Sequence, residues 1–86
     1  MTKFDLAILK VLNDSEVETP SKALCVSQIL ALMDEKQRKS YSTTYRHLLN
    51  MEQLGYVKCG LAEGLASTYL ITDSGKIFCK AQEKSS

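Results

Sequence analysis

The sequence predicts an α+β fold, mainly helical: a three-helix core, a small antiparallel β-hairpin and a closing C-terminal helix. Three observations carry this. Apolar residues recur at helical spacing in four separate stretches, the period changes to two only between residues 56 and 71, and Gly55 stands where the period changes. The chain has 86 residues, 44% apolar and 24% charged, which is enough for one packed domain and too little for a multi-domain enzyme.

The first helix is expected at about 2–13. Phe4, Ile8, Val11 and Leu12 recur at i, i+4, i+7 and i+8, with Lys3, Asp5 and Lys10 outside the stripe. Thr2 is positioned as its N-cap, and Asp5 as the acid of a capping box. Asn13-Asp14-Ser15 ends it, and residues 16–22, with the only proline, form a loop. Ala23-Leu24-Cys25-Val26 is too short an apolar run for a helix and reads as a strand. A second helix then spans 27–34, capped by Ser27, with Val26, Ile29, Leu30 and Met33 facing inward.

The third helix, 42–54, has the clearest pattern. At about 100° per residue, Thr44, Leu48 and Met51 stack on one face with Leu54 beside them. Ser42, Thr43, Arg46, Asn50 and Gln53 lie opposite, and Gly55 suits the left-handed stop. Residues 56–61 and 67–71 alternate as two strands, joined by Ala62-Glu63-Gly64-Leu65-Ala66. Thr72 caps a last helix at 73–83, with Ile77, Phe78 and Ala81 on its apolar side.

Charge is unevenly spread. Eleven bases against ten acids give only +1 overall. Between positions 36 and 58, however, Lys36, Arg38, Lys39, Arg46 and Lys58 face only Glu52, five less one, or +4. Cys25, Cys59 and Cys79 are odd in number and widely spaced, as expected of free thiols in a reducing compartment. With His47 they lack the short spacings of a zinc site, and neither a metal nor a cofactor is expected. One histidine, no nucleophile elbow, no phosphate-cradling glycine loop and no clustered carboxylates predict no enzyme. No apolar run nears the ~20 residues of a membrane span, and Thr2-Lys3-Phe4-Asp5 does not read as a signal peptide. A cytoplasmic protein is the expectation.

Two helices joined by a short turn, the second with a polar outer face, match the helix-turn-helix that enters a DNA major groove. Three segments in order carry a closer likeness: Ser42-Thr43-Thr44-Tyr45-Arg46-His47-Leu48, Met51-Glu52-Gln53-Leu54-Gly55-Tyr56-Val57 and Tyr69-Leu70-Ile71-Thr72-Asp73-Ser74-Gly75. Here the chain resembles winged helix-turn-helix transcriptional regulators of the PadR-like and MarR-like kind, over nearly its whole length. The resemblance implies a recognition helix at about 42–54, sequence-specific binding of double-stranded DNA, and a homodimer through the terminal helices 2–13 and 73–83.

On that basis Arg46 is the residue able to contact guanine bidentately. Ser42, Thr43 and Tyr45 offer hydroxyls, Asn50 offers an amide, and Lys36, Arg38, Lys39 and Lys58 offer charge to the phosphates. His47, beside the apolar stripe, is expected to be structural. Leu6, Leu9 and Phe78, off the main stripes, are the candidate dimer surface. The wing tip is acidic and apolar at Ala62, Glu63, Leu65 and Ala66, which suits packing or a partner rather than phosphate. The competing expectation is a winged-helix protein–protein interaction module without DNA contact. The basic cluster separates the two: if Lys36, Arg38, Lys39 and Arg46 share one surface DNA is favoured, and if they scatter or pair with Asp34, Glu35 and Glu52 a protein partner is favoured.

Overall fold

A computed structural model describes residues 2–63 and 66–84. Thr2 opens helix α1 (Lys3–Asp14) by accepting the Asp5 amide at 3.2 Å, while Asp5 Oδ2 accepts the Thr2 amide at 3.0 Å. The capping box is therefore closed at both ends. Phe4, Ile8, Leu9 and Leu12 are buried. Leu9 thus belongs to the core rather than to a dimer surface, because the buried arc of α1 is wider than a single i, i+4, i+7 row.

After α1 the chain turns at Glu16, whose φ is +54°, and buries Val17. The Val17 carbonyl accepts the Ile71 amide at 2.9 Å, and Glu18 pairs with Lys76 of the last helix. A 3-10 turn (Pro20–Lys22) leads to the short strand β1 (Leu24–Cys25).

Helix α2 spans Val26–Leu32 with Cys25, not Ser27, as its N-cap. Gln28 decides this: its Oε1 accepts the Cys25 amide at 3.0 Å, so the helix starts one residue before Ser27. Val26, Ile29 and Met33 face inward as expected, and Leu30 is half-buried.

Helix α3 (Tyr41–Leu54) starts one residue early as well. Ser40 is its N-cap, accepting the Thr43 amide at 3.2 Å. Thr44, Leu48 and Met51 are its buried face, and Thr44 satisfies its hydroxyl on the Ser40 carbonyl at 2.9 Å. Gly55 closes the helix at φ +87°, donating to Glu52, and Tyr56 then donates to Met51 at 3.0 Å.

The wing strands β2 (Val57–Glu63) and β3 (Ala66–Ile71) are antiparallel, and β1 adds to the other edge of β3, giving the order β1-β3-β2. Both wing strands are longer than expected. The pairs Cys59↔Tyr69 and Ala62↔Ser67 leave one more residue on β2 than on β3, a β-bulge at Gly60–Leu61. A Cβ at Gly60 would come 2.6 Å from the Ala23 Cβ, so glycine permits this close approach. Positions 64–65, and the side chains of the expected tip at Ala62, Glu63, Leu65 and Ala66, lie outside the described residues.

Thr72 links three elements. Its amide donates to the Tyr56 carbonyl at 3.1 Å, its hydroxyl donates to the Gly55 carbonyl at 2.5 Å, and it accepts the Gly75 amide at 3.1 Å. Helix α4 (Asp73–Lys84) leaves from this point. Gly75 and Cys79 are buried, and Phe78 is half-buried with its ring 5.0 Å from that of Tyr56. Ile77 is 69% exposed and Ala81 is exposed, contrary to the expected apolar side of Ile77, Phe78 and Ala81. The contact of Gly75 with the Tyr56 carbonyl sets this phase, since a Cβ there would overlap that oxygen.

Candidate nucleic-acid interface

Helix α3 presents one face to the core and another to solvent. At about 100° per residue, Ser42, Arg46, Leu49 and Gln53 share the centre of the outer arc, with Tyr45 and Asn50 on its shoulders. All six are exposed. Thr43 is half-buried, and its hydroxyl accepts that of Ser40 at 2.9 Å, leaving its own proton to donate.

The bases divide into groups. Lys36 and Lys39 line one cleft with Lys3, Thr2, Phe4, Gln37 and His47, and Lys39 Nζ stands 5.5 Å over the Phe4 ring. Arg38 donates to the Met33 carbonyl at 3.1 Å, so one of its N–H groups closes the end of α2. Arg46 stands on the outer arc of α3, and Lys58 is exposed on β2.

Among the described residues, none of Lys36, Arg38, Lys39, Arg46 or Lys58 forms an ion pair. Two of the three acids named as possible partners are held by backbone amides instead. Asp34 Oδ1 accepts the Lys36 backbone amide at 3.2 Å, and Glu52 Oε2 accepts the Cys59 amide at 3.2 Å, holding the wing to α3.

His47 has the structural role expected of it. Its Nδ1 lies 2.6 Å from Asp5 Oδ1, and its ring meets Phe4 edge-on at 4.9 Å. Because an ionised carboxylate only accepts, Nδ1 carries the hydrogen. Burial pushes the Asp5 carboxyl up, but the Thr2 amide, then His47, then the Thr2 hydroxyl outweigh it, and the group sits below its ordinary value. Asp5 is therefore a charged, fully partnered residue behind His47.

Two features of this surface were not among the expected site residues. Leu49 sits within the outer arc, as its position three after Arg46 already implies. Lys3 joins Lys36 and Lys39 only because α1 packs beside the connection between α2 and α3, and no local pattern signals that. Cys25 and Cys59 are half-buried and Cys79 is buried. Among the described residues no three His, Cys, Asp or Glu side chains are grouped to hold a metal ion.

Three helices, a hairpin packed through its own closing helix and a third strand on the sheet edge define a winged helix-turn-helix fold. The chain is similar in structure to AF1382 from Archaeoglobus fulgidus, with a TM-score of 0.68 at 15% identity, over 95% of this chain and 81% of that one. At that identity the likeness is one of fold alone. No protein-family model and no curated protein matches the sequence. No described helix is long and apolar enough to cross a membrane.

Proposed function

We propose that this protein binds double-stranded DNA sequence-specifically, with α3 in the major groove, as a transcriptional regulator of the winged helix-turn-helix kind. One observation carries the reading: the outer arc of α3 is uncovered and bears Ser42, Arg46 and Asn50, with unpaired Lys36 and Lys39 beside the same helix. Arg46 reads a base edge, preferably guanine O6 and N7. Ser42, Thr43, Tyr45 and Asn50 contact phosphates or neighbouring bases, and Lys36, Arg38, Lys39 and Lys58 hold the backbone electrostatically.

A cytoplasmic location and a homodimer on paired half-sites belong to the same proposal. Among the described residues the exposed large apolar side chain on the terminal helices is Ile77, whereas Leu9 is in the core and Phe78 packs against it. The experiment is selection from a random duplex library. A binder of this kind enriches a short motif with guanine at a fixed position, and Arg46→Ala loses that preference.

A second reading rests on two further observations, the division of the basic residues into separate groups and an apolar row on α3. Tyr41, Tyr45 and Leu49, at i, i+4 and i+8, are 51%, 36% and 37% exposed along one side of α3. An aromatic and aliphatic row of this kind suits a protein partner. Under that reading the selection returns no motif, and Leu49→Ser abolishes capture of the partner while Arg46→Ala does not.

A further inference from the structure

We propose that the cleft between the start of α1 and the connection from α2 to α3 is a phosphate-binding site. Three lysines line it, Lys3 from α1 and Lys36 and Lys39 from the connection, around a volume of about 460 Å³. Among the described residues none of the three has a carboxylate partner. Asp5, which lies behind His47, has a side chain 5% exposed and is held by the Thr2 amide and His47. The cleft therefore gathers three lysines, and among the described residues no acid lines it.

Lys39 is held over the face of Phe4, which limits where its ammonium can point. Thr2 and Gln37 add neutral polar groups to the rim. A compact multivalent oxyanion suits several separate ammonium groups, each acting as a point charge, better than it suits one. A phosphate group has that form.

The phosphate has two possible sources, a nucleic-acid backbone or a free phosphate-bearing molecule. The first rests on the duplex reading above: His47 lines the cleft from the flank of α3, where a strand alongside a helix in the major groove would run. The second is independent of it.

The test is an NMR titration of the 15N-labelled protein with inorganic phosphate, against sodium chloride at matched ionic strength. Lys3→Glu reverses one charge in the cleft, and an acid in the first turn favours the helix, so the fold is kept. Lys10→Glu makes the same change in net charge on the same helix but outside this cleft. The proposal predicts saturable, phosphate-specific shifts at Lys3, Phe4, Lys36, Lys39 and His47. Lys3→Glu weakens them roughly tenfold, and Lys10→Glu changes them by less than about twofold.

Duplex binding by the same variants then separates the sources. A parallel loss in Lys3→Glu assigns the phosphate to the nucleic-acid backbone. Phosphate shifts with duplex binding unchanged, or with no duplex binding in the wild type, assign it to a free molecule and leave the site standing. Shifts no larger than those in chloride, or equal losses in Lys3→Glu and Lys10→Glu, overturn the proposal.

Discussion

His47 on α3 and Asp5 on α1 are joined by a 2.6 Å contact between Nδ1 and Oδ1, and the same carboxylate closes the cap of α1 through Thr2. The orientation of the outward helix is thus tied to the start of the first helix by one buried charge. Asp5→Ala removes both partners and should cost about 1–3 kcal/mol, lowering the thermal midpoint by roughly 4–8 °C for each kcal/mol.

The pH dependence follows from the same group. The folded-state value of Asp5 lies below its ordinary 3.8, so its contribution is complete above the unfolded value and fades as pH falls through the depressed one. Stability should therefore decline on acidification below about pH 4. Asp5→Asn, which keeps the shape and loses the charge, should flatten that decline in urea titrations at a series of pH values.

Two glycines should differ sharply on replacement by alanine. Gly55 has φ +87° and open space around it, so Gly55→Ala costs only left-handed strain, about 1–2 kcal/mol. Gly75 has an ordinary backbone, but its Cβ would meet the Tyr56 carbonyl and Ile71 Cγ1. Neither the strand entry nor α4 can yield cheaply there, and Gly75→Ala should cost more than Gly55→Ala by urea denaturation.

Leu9 and Ile77 offer a further contrast. Leu9 is fully buried, so Leu9→Ala should lose about 2–5 kcal/mol. Ile77 is exposed on α4, and Ile77→Ser should stay within about 0.5 kcal/mol for the monomer. If the homodimer uses that helix, Ile77→Ser also shifts sedimentation toward the monomer.

Much of the fold was legible because it depends on local repetition. Thr44, Leu48 and Met51 define the inner face of α3 by spacing alone, Thr2 and Asp5 define a cap by identity, and Gly55 marks a stop. What was not legible depends on contacts between distant segments. Ser27 resembles a cap, but the reach of Gln28 back to Cys25 moves the start of α2. Ile77 looks like a core residue until Gly75 is seen against Tyr56, which turns the helix so that Cys79 goes inward.

The site divides in the same way. Ser42, Arg46 and Asn50 are readable from the helical period, whereas Lys3 joins Lys36 and Lys39 only through packing. The basic cluster between residues 36 and 58 is one run in sequence. In space it separates into the lysine cleft, Arg38 on the Met33 carbonyl, Arg46 on α3 and Lys58 on the wing.

The most direct measurement is a fluorescence-anisotropy titration of the selected duplex at several salt concentrations, with wild type, Arg46→Ala and Lys39→Ala. Binding should weaken steeply as salt rises. Arg46→Ala should cost roughly 1–3 kcal/mol on the selected duplex and little on others. Lys39→Ala should weaken all duplexes alike and reduce the salt slope by about one. Absent or salt-insensitive binding at low ionic strength, or an Arg46→Ala variant that binds every duplex as the wild type does, would contradict a sequence-reading α3.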